Sequence, residues 1–373
     1  MKTVYILGAG FSMDAGAPSQ AQIMKEALVI LENKNNIVNE KAYERFQVFK
    51  DLLVNTMHFS EDQLCDVILE DIFTPLDRCL SENMQYRGIP VGDIMKVRED
   101  VFHVIGDTIK YAIEKNNNDK KYINDFARYL VKESKNRANV RDDNGSDSID
   151  PVSVISTNWD IMLDNSIYDA ISQDRDKFGV VDYCCYISSI NESDETVKPG
   201  LLAIGKKGYN VKLLKLHGSL NWLQCPRCMR LYTIFGKVNF DNESCCRHCT
   251  KNFGKEEKSI LISNLIMPTF IKDLSNPQYK IIWQNAGIEI SEADKLVFIG
   301  YSLPSADFEL RQLLSRMSKR NAEIEVVTFS NKGKGSRVYK DSIKKHWKSF
   351  FGSRNIKFHF NGAKEYIERN IKY

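Results

Sequence analysis

Thr3–Leu7 is a short, continuous apolar run of β-prone residues, and it ends in a turn carrying Gly8, Gly10 and Gly16. Apolar residues then recur at helical spacing over Ala21–Leu31. A strand, a glycine turn and a helix in that order form the first unit of an open α/β sheet. From about residue 40 to 131 the period is helical throughout. Tyr43, Phe46, Phe49, Leu52 and Leu53 make one stripe, and Leu64, Val67, Ile68 and Phe73 a second. Val97, Val101, Val104, Ile105, Ile109 and Ile113 make a third. This stretch is read as a helical insertion. Residues 133–150 are polar and include Asn144-Gly145-Ser146-Asp147-Ser148, which predicts an exposed loop.

Buried strands resume at Val152–Ser156, Val211–Leu216, Lys295–Ile299 and Glu325–Phe329, with a further short strand at Ile356–Phe360. A helix is expected over Ile161–Ile171. Polar groups follow the strand ends: Thr157-Asn158-Trp159-Asp160, His217-Gly218-Ser219, Gly300-Tyr301-Ser302 and Ser330-Asn331. In doubly wound sheets, ligands bind beyond the carboxyl ends of the strands. The predicted fold is α/β: a Rossmann-like parallel sheet flanked by helices, with a helical insertion and a small four-cysteine zinc module. Its expected parts are a nucleotide-binding domain over 1–35 and 150–335 and a helical subdomain over 40–131. A zinc module over 222–255 and a C-terminal α/β extension over 336–373 complete it.

The 373 residues are enough for one large core with a smaller module. Hydrophobic residues make up 43% and charged residues 27%, the balance of a globular chain. A net charge of only +3 gives no indication of direct nucleic-acid binding. There is no apolar run long enough for a membrane span and no signal-peptide pattern at Met1–Leu7, so a cytoplasmic protein without membrane contact is expected.

Five of the nine cysteines fall between Cys225 and Cys249. Cys225-Pro-Arg-Cys228 and Cys246-Arg-His-Cys249 are two Cys-x-x-Cys units, the spacing that folds four thiolates into a tetrahedral site for Zn2+. Four thiolates leave no open position for a catalytic water, so the zinc is expected to be structural. Cys245 and His248 are alternative ligands, and a redox pair is the competing reading. Cys65, Cys79, Cys184 and Cys185 have no obvious histidine partner in sequence and are read as packed or incidental rather than catalytic.

Glycine permits positive φ and close backbone approach, so Gly8-Ala9-Gly10-Phe11-Ser12 through Gly16 suits a diphosphate at a helix start. The spacing is not the usual dinucleotide fingerprint, because residue 13 is Met. Taken in order with Thr157-Asn158-Trp159-Asp160, His217-Gly218, the Cys-x-x-Cys pairs and Gly300-Tyr301-Ser302-Leu303, the turn resembles the sirtuin (SIR2) superfamily. More narrowly it is similar to the divergent bacterial SIR2-like NADase subgroup of antiviral defence. The likeness spans roughly half of the chain.

What this resemblance implies is an NAD+-binding chain in which NAD+ is the substrate. Gly8, Ala9, Gly10, Ser12 and Gly16 would hold the diphosphate, with Thr157 beside them. Asn158 would lie at the nicotinamide ribose and His217 would be the base toward its hydroxyls. Gly300, Ser302, Ser330 and Asn331 would hold the remaining diphosphate and adenosine ribose. Asp160 would act at the nicotinamide pocket, or on water, or cap the following helix. Trp159 and Trp222 either line that pocket or pack in the core. Asp307, Glu309 and Arg311 read as a charged helix start, which could form an internal ion pair or support a subunit contact, with a surface position the favoured reading. Protein deacylases continue the first motif into Pro-x-Phe-Arg, whereas Pro18-Ser19-Gln20-Ala21 stands here. They also carry Phe-Gly-Glu after the zinc module, where this chain has Ile266–Lys272. The implied reaction is therefore hydrolysis of NAD+ to nicotinamide and ADP-ribose by a defence effector. Deacylation, or NAD or ADP-ribose binding without turnover, are the alternatives. The same resemblance implies a homo-oligomer, or a partner such as a HerA-type ATPase or an Argonaute-like protein. No paired carboxylate cluster supports a nuclease.

Overall fold

A computed structural model describes residues 1–32, 40–116, 118–144, 150–236, 244–254, 258–330 and 336–372. The first strand, β1 (Thr3–Leu7), is followed by two short 3-10 turns, Ala9–Phe11 and Met13–Ala15. Five helices come next: α1 (Gln20–Glu32), α2 (Glu40–Asp51), α3 (Leu69–Glu82), α4 (Val91–Asn116) and α5 (Lys121–Asn144). The chain continues through β2 (Val152–Ser156), α6 (Met162–Ser172), β3 (Gly179–Asp182), β4 (Ile187–Ser189), α7 (Gly200–Gly205) and β5 (Tyr209–Lys215). Then follow β6 (Gly218–Gln224), β7 (Leu231–Thr233), α8 (Arg247–Phe253), β8 (Ile262–Leu265) and α9 (Pro277–Glu292). The last elements are β9 (Lys295–Ile299), α10 (Phe308–Met317), β10 (Glu323–Val327), α11 (Ser336–Phe351), β11 (Ile356–His359) and α12 (Gly362–Asn370).

The main sheet has seven strands in the order β11-β10-β9-β1-β2-β5-β3, and every neighbouring pair is parallel. Parallel strands covered on both faces must be apolar along their length, and β1 and β2 are buried at all five positions. The chain winds from β1 to one side through β2 and β5, then returns through β9 to the other. That reversal places the topological switch point between β1 and β9. A smaller mixed sheet, β4-β7-β6-β8, carries the cysteines.

The helical layer has its own core, in which Phe46, Leu53, Ile72, Phe73, Leu76 and Ile105 are buried. α1 contributes Ile23, Met24, Ala27 and Ile30 to that core, so the helix after the glycine turn faces the insertion. α5 does the opposite. Its Tyr122, Phe126, Ala127 and Leu130 join the core of the main sheet, packing on α6 and β5.

Two expectations change here. The polar stretch 133–150 is not all loop, because α5 runs on to Asn144. Ala138 is buried, Arg137 pairs with Asp150 at 3.2 Å, and Arg141 Nη2 donates to the Gly208 carbonyl at 2.9 Å, while residues 145–149 lie outside the described residues. An amphipathic helix with a narrow buried stripe has the composition of a loop. The C-terminal strand β11 pairs in register with β10, from Ile324↔Ile356 to Val327↔His359, so the last segment completes the main sheet.

Candidate active site

The glycine turn is built by backbone packing against the turn after β9. Gly8 N donates to Ile299 O at 3.1 Å and Gly10 N to Gly300 O at 3.0 Å. A Cβ on Gly8 would stand 2.6 Å from Gly300 O, and one on Gly10 would stand 2.8 Å from Gly300 Cα. Gly300 has φ +63°, and its own Cβ would collide with the Gly10 and Phe11 backbone. These glycines are required by protein packing at the switch point, with or without a diphosphate above them. Gly300→Ala is expected to destabilise the fold by about 3 kcal/mol or more, from steric overlap and strain together. Thermal unfolding reads this, and an unchanged Tm would contradict it. Gly16 serves differently: it has φ +99° and lies against Asn116, whose Nδ2 donates to Gly16 O at 3.1 Å. Tyr122 OH donates to Phe11 O at 2.6 Å and clamps the same turn from α5.

Because the strands are parallel and in register, their C-terminal ends meet along one edge. Leu7 is opposite Ser156, and Ser156 is opposite Lys215. This brings Ser12, Asn158, Asp160 and His217 together beyond β1, β2 and β5, all of them buried. Ser12 Oγ, Asn158 Oδ1 and His217 Nε2 have no aligned hydrogen-bond partner. Buried polar atoms are nearly always paired, so three such atoms at adjoining strand ends mark a place that suits a polar ligand. Ala9 is half-buried in the first 3-10 turn, and Thr157 Oγ1 donates to Leu7 O at 3.2 Å.

Asp160 accepts from Met162 N at 3.1 Å, so it caps the first turn of α6. Burial raises its pKa above the ordinary carboxylate value, opposed by Lys215 and by the Ser12 hydroxyl beside it. Lys215 is an element that the sequence reading passed over. It is almost fully buried, donates to the Asp160 carbonyl at 2.7 Å and pairs with Asp164 Oδ2 at 3.0 Å. Tyr183 OH donates to the other Asp164 oxygen at 2.8 Å. Two lysines, Lys212 and Lys215, interrupt the run Val211–Leu216, and the second, placed at the strand end, was the available signal. The buried pair supports the Asn158–Asp160 loop from beneath.

Burial lowers the pKa of His217 from its ordinary value, opposed by Asp307. Asp307 is thus not part of an exposed helix start. It is 8% exposed, and its Oδ1 lies 3.5 Å from His217 Nε2. Tyr301 OH donates to Asp307 Oδ2 at 3.2 Å. The sequence concealed this because a strand end and a helix start some ninety residues apart meet only through the β5–β2–β1–β9 order. Arg311 Nη1 donates to Leu303 O at 2.9 Å, which holds Leu303 at φ +58°.

The adenosine-side candidates divide. Ser302 is exposed at the same edge. Ser330 is buried, with its N donating to Phe360 O at 3.1 Å and its hydroxyl 3.2 Å from Ser336 Oγ, so it ties β10 to the following segments. Asn331 lies outside the described residues. Trp222 is fully buried against Tyr183 and Tyr279, as a core residue. Trp159 is half-buried and its Nε1 donates to Ile266 O at 3.3 Å.

The four cysteines converge. Cys225, Cys228, Cys246 and Cys249 place their Sγ atoms within 4.8 Å of one another. Cys225–Cys249 and Cys228–Cys246 are each 3.7 Å apart. Thiolates about 2.3 Å from a tetrahedral Zn2+ stand about 3.8 Å apart, so the cluster fits that ion. Cys245 and His248 are outside this group; the Cys245 backbone forms a β-bridge with Ile260, and the His248 ring contacts Asn252. Leu223, Tyr232 and Leu261 add a small apolar cluster around the sulfurs, too small to fold the module alone.

No protein-family model and no curated protein sequence matches the chain. Among solved structures, it is similar to a Sir2 homologue in complex with NAD, at 14% identity and TM-score 0.34, covering 94% of this chain and 90% of that one. It is similar also to a Sir2 homologue mutant in complex with ADP-ribose, at 14% identity and TM-score 0.34, with 95% of each chain covered. A Sir2 protein bound to a propionylated peptide aligns at 13% identity and TM-score 0.38, over 99% of this chain and 91% of that one. No helix among the described residues is long and apolar enough to cross a membrane.

Proposed function

We propose that this chain binds NAD+ across the β1/β9 switch point and cleaves its nicotinamide–ribose bond. The observation that carries the reading is the set of buried Ser12 Oγ, Asn158 Oδ1 and His217 Nε2, none of them in an aligned hydrogen bond, at adjoining strand ends beside the glycine turn. The N–H groups of Gly8, Gly10, Phe11 and Ser12 already donate to protein carbonyls, so a diphosphate over the turn would lie close against its glycine backbone rather than on those donors. Asn158 can accept from a ribose hydroxyl and hold the sugar or an attacking water. His217, buried and favoured in its neutral form, can take a proton.

In hydrolysis, a water oxygen bonds to C1′ of the ribose as the C1′–N bond breaks. The bonding pair leaves with the nicotinamide nitrogen, and one water proton passes to His217 Nε2 and then to solvent. The products are nicotinamide and ADP-ribose. Orientation of the ribose and stabilisation of its developing positive charge supply the rate. A carboxyl group at Asp160 capping α6 keeps the Asn158 loop in place.

A second acceptor is favoured by one feature. β8 is the edge strand of the smaller sheet, and Ile266 N, just beyond it, donates to His217 O at 3.0 Å. An extended peptide adding to that edge would reach the base, with an acyl-lysine oxygen attacking C1′ in place of water. The absent Phe-Arg and Phe-Gly-Glu segments favour water. Product analysis with NAD+, alone and with an acyl-lysine peptide, decides. Nicotinamide and ADP-ribose without peptide make the chain an NAD+ hydrolase; peptide-dependent nicotinamide release makes it a deacylase. NAD+ retained intact in both would overturn the cleavage reading. A hydrolase of this kind needs restraint in a healthy cell, which fits an oligomer or a defence partner acting through the helical layer.

A further inference from the structure

His217 stands against an anionic group that the reaction above does not use. Asp307, at the start of α10, is fixed from two other sides. Tyr301 OH donates to its Oδ2 at 3.2 Å, and Lys272 Nζ lies 3.7 Å from its Oδ1. Lys272, itself 2% exposed in its side chain, also donates to the Ala306 carbonyl at 2.6 Å and pairs with Glu309 at 2.8 Å. The carboxylate therefore cannot turn away from the imidazole. Its 3.5 Å separation from His217 Nε2 is an ion-pair distance without an aligned hydrogen bond. Nε2 is therefore not engaged by an aligned donor or acceptor.

We propose that Asp307 is the positioning residue of His217: it holds the imidazole at the end of β5 and stabilises the positive charge formed when Nε2 takes a proton. In catalytic triads the carboxylate accepts from the other ring nitrogen, Nδ1, whereas Asp307 faces the proton-accepting Nε2 and acts on it as a nearby charge. The proton moves from a ribose hydroxyl or water to Nε2, and the imidazolium so formed lies 3.5 Å from Asp307 Oδ1, whose charge stabilises it without an aligned hydrogen bond. The consequence for rate rests on the cleavage reading; the consequence for the charge of His217 does not.

The groups facing the imidazole are Asp307 and Glu309, both anionic, the Lys272 ammonium, the Thr157 backbone and the Trp283 ring of α9 at 6.4 Å between centroids. Asp307→Asn keeps the shape and an acceptor for Tyr301 but removes the charge. Without it, burial and Lys272 act with less opposition, and the titration of His217 moves down. Lys272→Met removes the cation, and the titration moves up. Each displacement is expected to be about one pH unit.

The test is NMR titration of the His217 imidazole in the full-length protein without NAD+, the signal being assigned by its loss in His217→Asn. It reads the proposal even if the protein cleaves no NAD+. Opposite displacements in the two variants support it. An unmoved titration in Asp307→Asn overturns it, and if that variant does not fold, an unmoved titration in Lys272→Met does. Where nicotinamide is released, Asp307→Asn should lower kcat about 10- to 100-fold with little change in KM, and shift the acid limb of the pH profile down with the titration. A fall in rate with the limb unmoved would assign Asp307 a packing role only.

Discussion

Replacing His217 by alanine is expected to lower nicotinamide release from NAD+ by about 10²- to 10⁴-fold, the range for loss of a general base. Truncation of this buried ring also removes its hydrogen bond with the Thr157 backbone and its contact with Asp307, so some loss of stability is expected. The His217→Asn variant, which fills more of the space, should show the same loss of activity with a thermal transition closer to that of the parent. The pH profile gives a second check. Burial favours the neutral imidazole, and the neutral form is the base. Activity should hold through neutral pH and fall only as the pH drops below about 6.5, the ordinary histidine value. Undiminished nicotinamide release by His217→Ala would remove the residue from the chemistry and move the search to Asn158 and Asp160.

Removal of the metal should have the largest effect on stability. The module around Cys225, Cys228, Cys246 and Cys249 has only a few apolar residues, so the ion supplies most of what holds it. Structural Zn2+ contributes about 10–16 kcal/mol of apparent binding free energy in peptides of similar ligand set, and that energy is also folding energy. Cys246→Ala is expected to abolish stoichiometric zinc, read by atomic absorption, and to lower the first thermal transition by more than about 10 °C. Cys245→Ala should do neither, because Cys245 lies outside the sulfur cluster. Zinc retained in Cys246→Ala, or lost in Cys245→Ala, would contradict the assignment. The β8 edge and the Ile266–Lys272 segment leave the same small sheet, and Lys272 ends beside Asp307. Chelation is thus expected to disturb the His217 surroundings as well, although the metal touches no reacting atom.

The sequence by itself determined the parts whose cause is local. Runs such as Thr3–Leu7 and Lys295–Ile299 are apolar after their first position, because a parallel strand is covered on both faces, and both are strands with those bounds. The Cys-x-x-Cys spacing set the four sulfurs, because two tight turns fix their geometry. The polar groups after the strand ends were legible for the same reason: parallel strands put all their carboxyl ends on one edge.

Tertiary structure decided whatever depends on which elements become neighbours. The strand order β5-β2-β1-β9 seats Asp307 beside His217, a meeting that no spacing in the chain encodes. Gly8 and Gly10 looked like glycines for a ligand, and only the packing of Gly300 against them shows a requirement within the protein. The charged stretch after Glu133 read as a loop, and its narrow buried stripe became visible only against α6 and β5. In each case a local pattern reports the environment of one element, while the pairing of distant elements is set by the competition of whole faces for the core.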